Sequence, residues 1–445
     1  MPRLGQPDLW HLGASTVDYR RRGFVGSGDM VGRECGDFLG RGHCRCRWTP
    51  AGRDLERERC ALECRGEWAA HGRCSAGWVR AVKRVLVLNH FAGEFGSPGG
   101  TRHVEMFSRL RDWSYLIVVG SHATVNSLPT RSSRGYLAVP TMPFSGNGLD
   151  RIANWISYAV ASVPRLMIGQ RPDIVYASSP HLLAGLAGMI LARRWKAPFI
   201  LEVRDLWPKL LADMGQMDKL SPVYRLLERV EALLYASADR IVVMAEGTRT
   251  YLIDQGVPNS KLVFIPNAAD PADFEVDVSR EDCRSQFGFT RRTAVYTGAH
   301  GPANGLDFLL DAADELRDEE LDIVLVGTGP AKEGLERRVR EMNLSNVRFM
   351  DPIPKSEIPR LMRAADFGVH VLADVPLFRY GVSPNKVFDY LASGLPMITN
   401  VPGEVADLVV ASRGGIAVEP WGLGPGLRTL LHAKSCELED MSGQV

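Results

Sequence analysis

The chain has 445 residues, with 53 Lys and Arg against 52 Asp and Glu, so its net charge is close to zero. At ~100–200 residues per domain this length predicts two or three domains, and 45% hydrophobic with 24% charged residues is the composition of a globular protein with sizeable cores. The charge balance argues against a nucleic-acid partner. No apolar run reaches the ~18 residues of a membrane span, and the first 30 residues lack the apolar centre of a secretory signal. A cytoplasmic protein is expected.

The first 82 residues read differently from the rest. Residues 1–83 carry 14 Arg and only one Lys (Lys83), and hold six of the eight cysteines: Cys35, Cys44, Cys46, Cys60, Cys64 and Cys74. No sustained helical or strand period runs through them. The C-x-C and C-x3-C spacings, with His43 and His71 nearby, match zinc patterns poorly. A disordered leader is the better reading, or non-coding sequence read in frame, with Val82 as the native start and residues 1–81 absent from the native protein. Cys283 and Cys436 are the only cysteines of the body, which suits a reducing compartment.

From Arg84 onward short apolar strands alternate with amphipathic helices, the pattern of a parallel sheet covered on both faces. Strands are predicted at Arg84–Asn89, Tyr115–Gly120, Asp173–Ser178, Phe199–Val203, Arg240–Met244 and Lys261–Ile265. Helices are predicted near Thr101–Arg111, Asp150–Ile168, His181–Trp195, Pro222–Ala236 and Gly247–Asp254. Polar, Pro-containing sequence from Asn267 to Arg292 reads as a linker. The rhythm then restarts with strands at Ala294–Gly298, Asp322–Gly327, Asn346–Met350, Phe367–Leu372 and Pro396–Thr399, separated by helices at Leu306–Leu316, Ala331–Met342, from Ser356, and at Asn385–Ala392. The expected fold is α/β: two Rossmann-like doubly wound domains, 83–275 and 276–445, facing a cleft.

The most informative stretch is FRYGVSPNKVFDYLASGLPMI, residues 378–398. Ser383 reads as an N-cap and Pro384 as a first helical residue, which leaves Asn385 and Lys386 in the first turn. A helix start carrying a lysine suits a phosphate, and Asp389, one turn on, is placed for the two hydroxyls of a ribose. A capped surface helix with a Lys386–Asp389 pair explains the same residues without a ligand. His181 ends a strand and either faces the cleft or merely starts a helix, while His370, in an apolar strand, reads as core.

These segments resemble glycosyltransferase family 4, the retaining enzymes of GT-B architecture, and most of all the bacterial branch of N-acetyl-fucosaminyl transferases of surface-polysaccharide assembly. The resemblance runs from about Lys83 to Pro420 and rests on GSPGGTRH, FILEVRDLWP, VFIPNAAD, VYTGAHGPANGLDFLLDAA, LVGTGP, SPNKVFDYLASGLPMI and NVPGE. It implies a metal-independent transferase with no cofactor, which takes a nucleoside-diphosphate sugar, expected to be UDP-linked, and a glycan or lipid-linked acceptor at the inner face of the plasma membrane. The implied donor-binding residues are Gly99, Gly100, Gly298, Asn304, Gly305, Ser383, Pro384, Asn385 and Asp389. Arg204 and Lys386 are implied catalytic cations, and Asp205 the residue that orients Arg204. The family's pair of glutamates eight apart is altered, with Gly381 at the first position and Asp389 at the second. Asn304 stands where many relatives carry a lysine.

Two other readings share the architecture: a sugar-nucleotide epimerase or hydrolase, and an inactive nucleotide-binding assembly partner. Arg193, Arg194, Trp195 and Lys196 end an apolar helix and could touch anionic headgroups, although a basic terminus also answers its own helix dipole. The carboxyl run HAKSCELEDMSGQV, residues 432–445, reads as too polar to pack a long helix, which predicts a shortened carboxyl end and a loosely tethered second domain.

Overall fold

The computed structural model describes residues 82–97, 100–123, 132–146 and 148–443. The leader expected over 1–82 lies outside them except for Val82, as does Gly99. The apolar runs become two parallel sheets. In the first, β1 (Lys83–Leu88), β2 (Trp113–Gly120), β3 (Tyr136–Val139), β4 (Ile174–Ser178), β5 (Phe199–Val203), β6 (Arg240–Val243) and β7 (Leu262–Phe264) lie in the order β3-β2-β1-β4-β5-β6-β7. The strand period of two sends Leu86 and Leu88 to one face and Val85 and Val87 to the other. The first pair is buried with Tyr158 and Leu166 of α2 (Leu149–Leu166), Ala184 and Leu191 of α3 (Leu182–Trp195) and Leu234 of α5 (Pro222–Ser237). The second pair packs with Val104 and Phe107 of α1 (Arg102–Ser108). Between α3 and α5 lies a short α4 (Lys209–Asp213), and α6 (Glu246–Asp254) leads into β7.

The second sheet holds β8 (Arg292–Thr297), β9 (Leu321–Val326), β10 (Val347–Met350), β11 (Phe367–His370), β12 (Met397–Thr399) and β13 (Gly415–Ala417), ordered β10-β9-β8-β11-β12-β13. One face is covered by α8 (Leu306–Glu315), α9 (Lys332–Glu341) and α13 (Leu423–His432). The other is covered by α7 (Arg280–Phe287), α10 (Ile358–Ala364), α11 (Asn385–Ala392) and α12 (Glu404–Ala411). In each sheet the strand order reverses beside the first strand, between β1 and β4 and between β8 and β11. That reversal opens a crevice at the carboxyl ends of the strands, where ligands of such folds bind.

The elements not expected from the sequence are α4, α7, α12, α13, α14, β3 and β13, and three of them show why. The stretch read as linker contains α7, capped by the Ser279 hydroxyl accepting from the Asp282 N–H and ended by Gly288 at φ +66°; Cys283 and Phe287 bury it in the second core. The four-residue β3 adds an edge strand to the first sheet. The polar carboxyl run forms α14 (Ser435–Gly443), whose Leu438 and Met441 pack against the second core, because two apolar residues three apart suffice to seat one face of a short helix.

The two domains are joined at several points. The Glu246 N–H donates to the Glu404 carboxylate at 2.9 Å, the Tyr251 and Tyr380 rings meet edge to face at 5.0 Å, and Lys355 reaches Thr101 Oγ1 at 3.2 Å and the Glu105 carboxylate.

Candidate functional site

The site is built from the loops at the carboxyl ends of both sheets. After β8 the chain turns at Gly298, whose φ of +143° few residues with a side chain tolerate. A Cβ there would sit 3.2 Å from Lys386 Cε and Nζ, so the glycine leaves room for the lysine. The following turn passes Asn304 and enters α8 through Gly305, a left-handed residue at φ +57° packed against the Ala373 backbone. Asn304 and Gly305 thus lie in the turn between β8 and α8.

Helix α11 covers the expected Asn385–Ala392, but its cap differs from the expected one. Pro384 is its N-cap, Asn385 its first residue, and no side chain caps it. Ser383 is therefore not the cap. Its hydroxyl instead accepts from the Asn267 N–H at 2.8 Å, and its carbonyl takes the Asn267 amide. The uncapped start leaves the Asn385 and Lys386 N–H groups to a ligand.

Lys386 makes no hydrogen bond or ion pair among the described residues. Its Nζ lies 4.0 Å from the centre of the Tyr296 ring, and burial lowers its pKa to about 7. Asp389, one turn along the same helix, is pushed up to about 6 by burial, with Lys355 opposing and Glu105 adding to the rise. A half-charged lysine beside a reluctant carboxylate is an arrangement that a bound diphosphate and ribose would complete. The Lys386–Asp389 pair of the ligand-free reading is not formed.

The first domain contributes the loop before α1. Gly100 takes φ +75°, and a Cβ there would press on the Gly93 N and Phe91 O at 2.7 Å; the Gly93 N–H donates to the Gly100 carbonyl at 3.0 Å. Arg204 stands at the end of β5, partly open to solvent, with no hydrogen bond or ion pair among the described residues. Asp205 lies beside it, raised by the protein around it and drawn back by the Arg204 charge. The two are not hydrogen-bonded, so any orientation of Arg204 by Asp205 acts through charge alone.

Several residues of this region escape a sequence reading. Glu202, fully buried two residues before Arg204, accepts from Arg102 Nε at 2.9 Å, His103 Nε2 at 3.0 Å, the Tyr176 hydroxyl at 2.6 Å and the Ser178 hydroxyl at 2.9 Å. Burial alone would raise its pKa, but His103, Arg102 and Arg204 outweigh it and hold the carboxyl well below the usual range. The only sequence signal for this cluster is a carboxylate inside the apolar run FILEV, since such charges are rarely buried unpaired.

His181 is buried rather than facing the cleft. Its Nδ1 accepts from the Ala184 N–H at 3.3 Å, so its Nε2 carries the proton and donates to His90 Nδ1 at 2.9 Å. That hydrogen bond puts the His90 proton on Nε2, which has no partner. Burial, then the Arg151 charge, lower the His90 pKa to about 3. His370 is core, as expected, bonded through Nδ1 to Thr399 Oγ1 at 2.9 Å. His300, after β8, is fully buried with both ring nitrogens unpartnered; burial, Lys332 and Lys386 lower its pKa to about 4. Trp195 turns inward, its indole N–H donating to the Leu166 carbonyl at 3.1 Å, while Arg194 lies over its ring.

At the carboxyl ends of β11, β12 and β13 a cavity of about 400 Å³ is walled by Leu372, Val375, Phe378 and Trp421, with Asp374 and Glu419 at its edge. No helix of the described residues is long and apolar enough to cross a membrane.

Residues 64–268 match the glycosyl transferase 4-like domain and residues 291–428 the glycosyl transferases group 1 domain. The first match begins inside the stretch read as leader. WcaI of Escherichia coli K12, assigned to colanic acid biosynthesis as a glycosyl transferase, is 27% identical over 266 residues, 58% of this chain and 64% of its own length. A D-inositol 3-phosphate glycosyltransferase of Frankia alni is 26% identical over 303 residues, 61% of this chain and 71% of its own. The chain thus spans a little under two thirds of the length of WcaI. Among solved structures, Anabaena Alr3699/HepE, crystallised with UDP and glucose, superposes with a TM-score of 0.60 at 18% identity, covering 81% of this chain and 92% of its own. WaaG, a glycosyltransferase involved in lipopolysaccharide biosynthesis, superposes at 0.61 with 15% identity, covering 81% and 94%. The chain therefore carries a glycosyl transferase 4-like domain followed by a glycosyl transferases group 1 domain, on a GT-B fold.

Proposed function

We propose that the protein is a retaining glycosyltransferase that moves a sugar from a UDP-sugar to a glycan or lipid-linked acceptor in cell-surface polysaccharide synthesis, in the manner of the N-acetyl-fucosaminyl branch. The observation that carries this reading is Lys386. It is an unpaired lysine at the open start of α11, with Gly298 clearing space beside it and Asp389 one turn on. UDP bound to the structural neighbour Alr3699/HepE supports the choice of nucleotide.

As the bond from the anomeric carbon to the diphosphate breaks, negative charge grows on the leaving phosphate. Lys386 Nζ and the Asn385 and Lys386 N–H groups receive it, preorganised and needing no rearrangement. Arg204 supplies a second cation from the first domain. These groups do the work that a divalent metal does elsewhere, so turnover is proposed to be metal-independent. The acceptor hydroxyl attacks on the face the diphosphate leaves and passes its proton to the departing phosphate oxygen, which retains configuration.

Peripheral contact with the inner face of the membrane belongs to the same proposal. On α2, Leu149, Ile152, Ile156 and Val160 are all exposed, at spacings that line them along one side of the helix, and Arg165 follows in its last turn. Such a stripe suits the headgroup boundary of a bilayer that carries a lipid-linked acceptor.

The test is UDP release from UDP-sugars with and without lipid-linked acceptors, in EDTA. Release that requires an acceptor and survives EDTA is expected. Release without acceptor would mean a hydrolase or epimerase, no release and no UDP binding would overturn the assignment, and a strict divalent-metal requirement would overturn the metal-free chemistry.

A further inference from the structure

One buried relay connects the two walls of the candidate donor site. On the first domain, Arg102 directly follows Gly100 and Thr101 of the glycine loop. Its Nε donates to Glu202 at 2.9 Å, and its other nitrogens donate to the Pro266 carbonyl at 2.8 Å, Asn267 Oδ1 at 3.1 Å and the Ile265 carbonyl at 2.8 Å. Each nitrogen of the guanidinium is thus committed to the end of β5 or to the segment that leaves β7. Asn267, 4% exposed, passes the connection on. Its N–H donates to Ser383 Oγ at 2.8 Å and its side-chain amide to the Ser383 carbonyl. Ser383 lies two residues before the first residue of α11.

We infer that Arg102 and Asn267 are positioning residues for the donor: they set the spacing between the glycine loop of the first domain and the start of α11 in the second, so that both walls meet one diphosphate at once. Neither residue touches the ligand. The assignment of a diphosphate rests on the function proposed above, but the mechanical link does not. A guanidinium fork bound to three consecutive residues fixes direction as well as distance, which a single ammonium on a flexible stem cannot do. Asn267 serves both sides at once, because its Oδ1 accepts from Arg102 while its two N–H groups face Ser383. The Glu202 carboxylate anchors the far end, itself held by His103, Tyr176 and Ser178. His103 in turn is fixed by Asn89, whose Nδ2 lies 2.9 Å from Nδ1 while its Oδ1 accepts from the Phe91 N–H at 3.2 Å.

The test compares Asn267→Ala and Arg102→Lys with Tyr176→Phe. The last removes one hydrogen bond from the same buried carboxylate but lies off the path to Ser383. Two readouts are taken on the full chain: UDP affinity by calorimetry, and amide hydrogen exchange over residues 378–392 without nucleotide. Asn267→Ala and Arg102→Lys are expected to weaken UDP at least about tenfold and to speed exchange in that segment. Tyr176→Phe is expected to lower the melting temperature and leave both readouts alone. If Arg102→Lys fails to fold, Asn267→Ala decides by itself. Wild-type UDP affinity and exchange in Asn267→Ala, or equal losses in Tyr176→Phe, would overturn the inference. A wild-type protein that binds no UDP would instead count against the proposed function, and the exchange comparison would still decide the link.

Discussion

Lys386 gives the sharpest test of the site. Burial lowers its pKa from 10.5 to about 7, so at pH 8 about 90% of the free protein holds it uncharged. A diphosphate at the start of α11 favours the charged form, so binding must draw in a proton. The expected uptake is about 0.9 proton per UDP at pH 8 and about 0.5 at pH 7. Asp389, at about 6, is already ionised at pH 8 and does not blur the count. Calorimetry in two buffers of different ionisation enthalpy measures the uptake directly. Affinity should fall by up to about tenfold per pH unit above 7. Lys386→Met should abolish the uptake and weaken UDP about 10- to 100-fold, the ~1.5–3 kcal/mol of a hydrogen bond to a charged group. The free protein gives the opposite sign. With a folded pKa below the unfolded one, the unfolded chain binds more protons between about 7 and 10.5, so this residue's contribution to stability rises as pH climbs through that window. Lys386→Met should flatten that rise. Uptake near zero in the wild type at pH 8, or uptake unchanged in Lys386→Met, would refute the placement of phosphate on this lysine.

Other outcomes follow from the same coordinates. Glu202→Ala strips the partner from a nearly buried Arg102 and should cost about 3–5 kcal/mol in denaturant unfolding, as loss of one member of a buried ion pair does. Gly327→Ala should abolish UDP binding or folding, because its φ is +148° and a Cβ would run into the Gly298 carbonyl; Gly334→Ala, inside α9 with its nearest neighbour 4.0 Å away, should be neutral or stabilising by up to about 1 kcal/mol. Gly120→Ala would put a Cβ 2.5 Å from the His90 ring and should destabilise by about 1–3 kcal/mol through overpacking, read as a lower melting temperature. Ile152→Glu with Ile156→Glu should reduce sedimentation with anionic vesicles while UDP affinity stays unchanged.

The alternation of apolar strands and amphipathic helices carries the fold, and its period made both sheets legible before any coordinates. What it hides is local. Helix α7 sits in a run whose polar face dominates, so Asn267–Arg292 reads as linker although Cys283 and Phe287 are core residues. No helix is read between β2 and β3, so the alternation that flags the other short strands does not flag this edge strand. At the candidate site, the placing of Lys386 and Asp389 one turn apart on α11 was legible because it depends only on the helical period. The error over Ser383 has a long-range cause. As a serine before a helix it suits a cap, but Asn267, 116 positions away, claims its hydroxyl instead. Glu202, Arg102 and His103 were hidden for the same reason, since contacts across about a hundred positions leave no periodic trace.

The joins between the halves also bear on how such proteins can be recombined. Among the described residues the chain crosses from the first sheet to the second once, in the segment after β7. A chimera cut there, with a foreign second half, replaces one wall of the candidate donor site and keeps the other. It works only if the incoming half brings partners for Asn267, Glu105 and the Glu246 N–H, the roles played here by Ser383, Lys355 and Glu404. With the Tyr380 ring that meets Tyr251, these positions, rather than overall similarity, are the compatibility code for exchanging halves.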